Sequence, residues 1–579
     1  MSPRRPPGIP STDFGSDPWI LTVDPATMPP GITETLLALS NGRIGVRGSY
    51  EQGPPDHQPG TLVNGFHETW PIIYPEAGHG YATCGQTIVY VPDATRLEAS
   101  GWQLADAVVT RRLDLRRGIL TTVARWPDRT MTWERLVSLV RPGVVAFRFS
   151  TEGGAVRLLS GWRNRQDLDY RQNAAETFDP RRARSFDHRV LEITDHLTGA
   201  DGVSVAAVFR TASSTMTLGV AIGHSAQAIG SALADLDRPF FEFETPRLEK
   251  KAIYLPTAEA SAALSALEGV PDFDTLADEQ TERLAALWES AAIDIGADAA
   301  LQQAVNWITF QLIQSSALVH DSGIPAKGLS GQTYEGHYFW DTDVFVLPFL
   351  ANVHPDAARE LIAFRHSLLP KARERAQMMS EKGALFPWRT INGEEASAYY
   401  EAGTAQYHIN GAVIYGVDSY LNATADAEVL WDWGVELAVE TARMWAGLGF
   451  FDDGGFHLHM VTGPDEYTAL VDDNAYTNLI AQFNLRCAID WLHRMEIEAP
   501  DRHARLRTDL GISQEEIAEW ERAAAGMYIP HDPERGVTPQ DARFLEREPW
   551  DWATPDNLYP LLLHFHPLVI YRHQVLKQA

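Results

Sequence analysis

Only two of the 579 residues are cysteine, Cys84 and Cys487. They stand far apart in no metal-type spacing, which excludes a disulfide-stapled scaffold and a zinc knuckle and fits a reducing compartment. Positive charge is also scarce: Lys plus Arg number 48 against 77 Asp plus Glu, for a net charge of −29. Such a field repels polyanions, so neither nucleic acid nor an anionic membrane is expected as a partner, and a small anion needs a local basic pocket. No stretch of about 18 consecutive apolar residues suggests a membrane span. The basic start, Met1-Ser-Pro-Arg-Arg-Pro-Pro-Gly8, has no apolar run behind it and is not a secretory signal. A cytoplasmic location is expected. No Gly-x-Ser-x-Gly elbow anchors a serine nucleophile, and the glycine-rich turn Ser40–Gly48 lacks the Lys-Ser/Thr pair of a phosphate loop.

What is present is ordinary globular material, 45% apolar and 22% charged, enough for more than one domain. Residues 1–18 are rich in Pro, Ser and Asp and read as a disordered tail. Residues 19–260 read as strands. Met131, Trp133, Val137 and Leu139 alternate with Thr132, Glu134 and Ser138, while Gln86–Val91, Val144–Phe149 and Val203–Phe209 are short β-rich runs between turn signals. An antiparallel β-sandwich is expected there. Residues 261–298 are Ala- and Glu-rich and read as a helical linker. From 299 to 579 the pattern is helix after helix, at 299–320, 355–380, 406–422, 427–447, 472–497, 513–527 and 558–579, which calls for α-on-α packing. The last of these carries no Gly or Pro stop after Val575, so the expectation is a helix, and a domain, still running at Ala579.

The chemistry-bearing stretch is Val461–Asn478. Gly463-Pro464 makes a tight turn, Asp465 and Glu466 follow it, and Asp472-Asp473-Asn474 offers helix caps before an apolar periodic run. A carboxylic acid held beside Tyr467 and Tyr476 suits protonation of a leaving group. Other connections gather the same residue types: Lys327–Asp343, Phe386–Glu395 and Gln406–Asn410. Taken singly, Phe339, Trp340 and Trp388 read as core residues at helix ends. Their concentration in loops with Asp, Glu and His points to sugar, because aromatic faces pack on the C–H faces of a ring while carboxylates and amides bind its hydroxyls. His457-Leu-His459 and His564-Phe-His566 have a spacing that can serve a metal, but no third ligand adjoins them in sequence. Neither a metal nor an organic cofactor is expected.

In order along the chain, Leu39-Ser-Asn-Gly-Arg-Ile-Gly-Val-Arg-Gly48, Asn64-Gly-Phe-His-Glu-Thr-Trp70, Leu113-Asp-Leu-Arg-Arg-Gly118, Gly336-His-Tyr-Phe-Trp-Asp-Thr-Asp343, Ala384-Leu-Phe-Pro-Trp388, Gly463-Pro-Asp-Glu-Tyr467, Asp472-Asp-Asn-Ala-Tyr-Thr-Asn478 and Lys577-Gln-Ala579 form a specific set. From Trp19 to Ala579 the chain resembles glycoside hydrolase family 65, the α-glucosyl disaccharide phosphorylases and a few related hydrolases. The resemblance implies an N-terminal β-sandwich, a helical linker and an (α/α)6 barrel, with more chain beyond Lys577-Gln578, so that the barrel is expected to be truncated here. It makes Glu466 the general acid. Trp340, Asp341, Lys577 and Gln578 are implied to grip the non-reducing glucose, and His337, Trp388, Arg389, Glu395 and His408 to line the disaccharide pocket. The implied reaction is inverting phosphorolysis of a maltose-, trehalose- or kojibiose-type disaccharide, with inorganic phosphate as co-substrate. An inverting hydrolase, which needs a second carboxylate about 6.5–9.5 Å away, and a non-catalytic carbohydrate-binding remnant are the alternatives. Homodimers are common in the family, though nothing in the sequence signals pairing. Two positions depart from the family pattern: Thr468 stands where His is usual, and Asp473 where Asn is frequent.

Overall fold

The computed structural model describes residues 14–25, 28–53, 60–164, 186, 188–296, 298–551 and 553–577, so most of the expected N-terminal tail and Gln578 lie outside the described residues. The chain divides into two compact units. The first takes in residues up to Thr69 and Gln86–His337; the second, Trp70–Gly85 and everything from Tyr338.

The first unit is built on a nine-stranded antiparallel sheet. Its order is Ile20–Val23, Val108–Asp114, Ile119–Trp126, Arg129–Val137, Val144–Glu152, Arg247–Leu255, Thr217–His224, Val205–Thr211 and Leu191–Thr198. A four-stranded sheet of Gly230–Ala232, Phe240–Thr245, Val156–Gly161 and Leu97–Ala99 supplies further aromatic core. The alternation around Met131 holds: Met131 and Trp133 are buried, and Trp133 pairs with Phe149 across the strands, ring edge to face at 5.3 Å. Arg135 shares that inward face and is fully buried. Its guanidinium is neutralised by Glu51 and donates to the carbonyls of Arg47 at 2.7 Å and Ser49 at 2.5 Å.

The other face of this sheet is covered too. Ile119, Leu136, Ala146, Val208 and Ile253 pack against Ala263, Leu267, Phe273 and Leu276 of the linker. Burial of a side chain such as Phe273 stabilises by about 1.5–3 kcal/mol. The linker forms two helices, Ala260–Glu268 and Phe273–Ala291. Pro271 lies in the break between them, and Asp272 caps the second by accepting from the Thr275 amide. The helix Ala299–Ser316, which the sequence pattern groups with the later helices, belongs to the first unit. Its buried amides explain this: Gln303 donates to the carbonyls of Phe14, Asp17 and Ile20, and Asn306 to that of Pro18.

The second unit is helical, with Leu347–Val353, Pro355–Ser367, Leu369–Met378, Ile409–Thr424, Val435–Leu448, Ala475–Glu498, Pro500–Leu510 and Gln514–Gly526 as its main elements. Two expectations are corrected, and a helix is found where none was expected. The single helix 355–380 is two, because Pro370 in the first turn of the second cannot extend the first. Pro500–Leu510 is a helix without the apolar stripe that would have announced it; none of its residues is buried. The segment expected as one helix over 558–579 is not one over its described residues, 558–577: these run through short turns, the four-residue helix Pro567–Ile570 and the two-residue strand His573–Gln574. Pro560 and Pro567 break the helical period. Leu561, Ile570 and Val575 instead close a small core with Tyr467 and Trp550. The last described residues, Val575–Lys577, are non-helical, and Ala579 lies outside the described residues.

Candidate active site

The turn Gly463–Tyr467 is held from below. The Asp465 carboxylate accepts from the amides of Tyr467 and Lys577, each at 3.0 Å, and from Gln540 Nε2 at 3.2 Å. Burial raises the Asp465 carboxyl above the usual range, against the pull of these donors. Thr468, at a position that departs from the family pattern, is buried. It donates to the Asp465 carbonyl at 3.3 Å and accepts from Gln540 at 2.9 Å, so it braces the turn. Gly463 is required by close approach, because a Cβ there would meet the Asn474 side chain at 2.4 Å. Asn474 is the cap of Ala475–Glu498, accepting from the Thr477 amide at 2.9 Å. Thr462 ties the same turn to the 401–406 segment, its amide donating to Ala405 O at 3.0 Å and its hydroxyl to Glu401 O at 2.8 Å.

Glu466 therefore projects from a fixed base. Its side chain is partly exposed, its Oε1 accepts from Gln406 Nε2 at a long 3.4 Å, and its Oε2 is ion-paired with Lys577 Nζ. Two aromatic groups adjoin this turn. In one, His408 lies beside the Gly463 backbone, with Trp340 edge-on at 4.8 Å and Tyr476 at 5.4 Å. The ring of His408 is fully buried, and burial pushes its pKa down to about 3, so it is a neutral wall. In the other, Trp388 lies 6.3 Å from Tyr400, and Tyr400 and Tyr571 both feel the Glu466 charge. Burial, reinforced by nearby carboxylates, raises both phenols, Tyr571 to about 12, and they remain O–H groups at neutral pH.

The remaining expected site residues divide. Asp341 is exposed at the start of the π-helical turn Thr342–Val346. Arg389 is buried with its guanidinium over the rings of Phe339 at 5.7 Å and Trp388 at 5.6 Å. Glu395 is used within its own loop: it accepts from the amides of Trp388 at 2.8 Å and Ser397 at 3.2 Å and lies 3.4 Å from Arg375. It fixes Trp388 and has little left for a ligand. His337 falls in the first unit, fully buried, with Nε2 2.6 Å from the Gln86 carbonyl. Sequence reasoning missed Tyr400, Gln540 and Tyr571. No local motif marks them, since each reaches the Glu466 turn through tertiary folding.

Two family models match the chain: "Glycosyl hydrolase family 65, N-terminal domain" over residues 23–287 and "Glycosyl hydrolase family 65 central catalytic domain" over 307–579. An α,α-trehalose phosphorylase of Thermoanaerobacter brockii is 36% identical over 590 residues, covering 94% of this chain and 75% of that protein. The α,α-trehalose phosphorylase of Geobacillus stearothermophilus is 36% identical with the same coverage. A kojibiose phosphorylase of Halothermothrix orenii is 32% identical over 55% of this chain and 43% of that protein. A solved structure from the human microbiome, titled as a candidate kojibiose phosphorylase, superposes with a TM-score of 0.85 at 20% identity, over 98% of this chain and 77% of that one, and so shares the fold. With its N-terminal β-sandwich, helical second unit and both matched models, the chain belongs to glycosyl hydrolase family 65 and is an enzyme of that family.

Proposed function

We propose that the enzyme cleaves an α-glucosyl disaccharide by inverting phosphorolysis, with Glu466 as the general acid. The observation that carries this reading is the Glu466 turn: a partly exposed carboxyl on a buried, cross-braced base, beside the Trp340–His408–Tyr476 and Trp388–Tyr400 groups. Similarity to two trehalose phosphorylases supports phosphate as the nucleophile.

In this reading Trp340 and Trp388 pack on sugar faces, and Asp341, Lys577 and Gln578 take hydroxyls of the non-reducing glucose. Arg389 and Glu395 hold Trp388, and His408 holds Trp340. Glu466 gives its proton to the glycosidic oxygen as the bond to the anomeric carbon breaks. Phosphate attacks that carbon from the opposite face, giving β-glucose 1-phosphate and a free sugar, and Glu466 regains a proton from solvent. Phosphate is already a nucleophilic anion, so no protein base is required. The Lys577 ammonium now sits on the Glu466 carboxylate. The arriving glucose must draw it away before Glu466 can act as an acid, and a hydroxyl is its natural replacement partner. We take the enzyme to work in the cytoplasm, where phosphate is plentiful.

The test is turnover of trehalose, maltose, kojibiose and nigerose with and without inorganic phosphate. Strictly phosphate-dependent release of β-glucose 1-phosphate from one of them is expected. Equal sugar release without phosphate would overturn phosphorolysis in favour of hydrolysis.

A further inference from the structure

We propose that His457, His459 and Asp473 form a binding site for a first-row divalent metal ion, with zinc the best fit. His457-Leu-His459 has no third ligand in sequence, but the fold provides one. Asp473 Oδ2 lies 2.9 Å from His457 Nδ1 and 3.7 Å from His459 Nε2, and the three donor groups lie within 4.8 Å of one another. Donors on a tetrahedral zinc, at about 2.0–2.1 Å from the ion, are about 3.3 Å apart. The two distances to Asp473 differ from this by a few tenths of an ångström, and the two imidazoles must close by up to about 1.5 Å to grip the ion, a movement open to the half-exposed His459 side chain. Metal binding replaces the proton between His457 and Asp473, which leaves to solvent.

The surroundings match those of a ligating pair of histidines. Each ring has a second carboxylate behind the nitrogen that faces away from Asp473: Asp452 Oδ1 is 2.9 Å from His457 Nε2, and Asp472 Oδ1 is 3.7 Å from His459 Nδ1. A carboxylate within hydrogen-bond reach, as Asp452 is, orients a histidine and raises its basicity toward a metal, whereas Asp472 at 3.7 Å contributes its charge. Three carboxylates facing two imidazoles also leave negative charge for a dication to neutralise. The rings are further set by stacking: His457 stacks with Phe450 at 5.9 Å and with Tyr528 at 4.8 Å, and His459 is edge-on to Phe450 at 4.8 Å. The backbone is fixed as well. Asp473 N donates to Leu458 O at 2.8 Å, Leu458 N donates to Asp473 Oδ1 at 3.2 Å, and Val461 pairs with Val471.

His457 and Asp473 are buried while the His459 side chain is 42% exposed, so the fourth position opens toward water. The ion would join the strand Gly455–His457 to the cap of Ala475–Glu498, across the base of the loop that carries Glu466. Its role is to clamp that loop, not to take part in the reaction.

The probe is Co²⁺ added to the metal-stripped chain, followed by its visible d–d absorption, with Zn²⁺ as competitor and the melting temperature as a second readout. One Co²⁺ per chain, displaced by one Zn²⁺ with a rise in melting temperature, is expected. His459→Ala, at an exposed side chain, should leave the metal-free melting temperature within a few degrees and weaken binding more than about 10-fold; Asp452→Asn should weaken it about 10-fold. No saturable binding to the native chain, or unchanged stoichiometry and affinity in His459→Ala, would overturn the site.

Discussion

The buried cations of the first unit and the charges around Glu466 in the second are held in opposite ways. In the first, Lys250 is fully buried and donates to three carbonyls, of Ala94 at 2.5 Å, Arg96 at 2.9 Å and Gly161 at 2.6 Å. Arg111, equally buried, donates to Gly48 O at 2.5 Å and Ser49 O at 3.2 Å beneath the Tyr50 ring. These cations are closed off by the backbone and stitch loops to the sandwich. In the second unit the charges around Glu466 are anchored on one side only. Asp465 is locked from below, while Glu466 and Lys577 stay partly exposed and meet each other. A charge whose every bond is satisfied internally is architecture; one held by a rigid base but open at its tip can exchange partners with a substrate.

That contrast can be broken by mutation. The largest effect is expected for Glu466→Gln, which should lower kcat by about 10²–10⁴-fold with an unchanged melting temperature. Turnover like that of the wild type would remove Glu466 from the acid role. Lys250→Met should do the reverse. It takes a donor from three carbonyls, of which that of Arg96 keeps the Gly161 amide at 3.3 Å, and should destabilise by about 3 kcal/mol, read from urea unfolding, while the folded fraction keeps its kcat. A selective loss of kcat in Lys250→Met would collapse the distinction between the units.

Acid should weaken each unit through a fully buried histidine. His224 in the first unit and His408 in the second are both buried, which drives their pKa from 6.5 down to about 3. Between those values the unfolded chain takes up a proton that the folded chain refuses, so stability falls as pH drops below about 6.5, by up to about 1.4 kcal/mol per pH unit for each. Unfolding midpoints at pH 7 and pH 5 measure this, and His408→Gln should remove its share. A midpoint that rises on acidification would contradict it. The smallest effect is expected for Asn474→Ala, which loses the helix cap beside the Glu466 turn and about 1 kcal/mol of stability in thermal unfolding.

Much of this was legible in the chain because the signals are local. The alternation through Met131 and Trp133 marks a half-buried strand, the Pro-Asp-Glu turn marks a fixed carboxyl, and Asn474 marks a helix start. Legibility failed where distant residues decide the outcome. Arg135 occupies an inward strand position that periodicity reserves for an apolar side chain, and Glu51 makes that tolerable from elsewhere in the sequence. The tail beyond Pro560 has a helical look, yet its apolar residues have a better partner in Tyr467 and Trp550 than in one another.

The sequence by itself determined the two kinds of secondary structure, the capped turn that carries Glu466 and the family to which the chain belongs, because periodicity, caps and ordered motifs are carried by neighbouring residues. Only the tertiary structure decided that Lys577 meets Glu466 across 111 positions, that Glu395 is spent on its own loop, and that Asp473 joins His457 and His459. Contacts of that kind depend on how helices and loops pack, and a hydrogen bond or ion pair between distant residues leaves no periodic trace in either partner's surroundings.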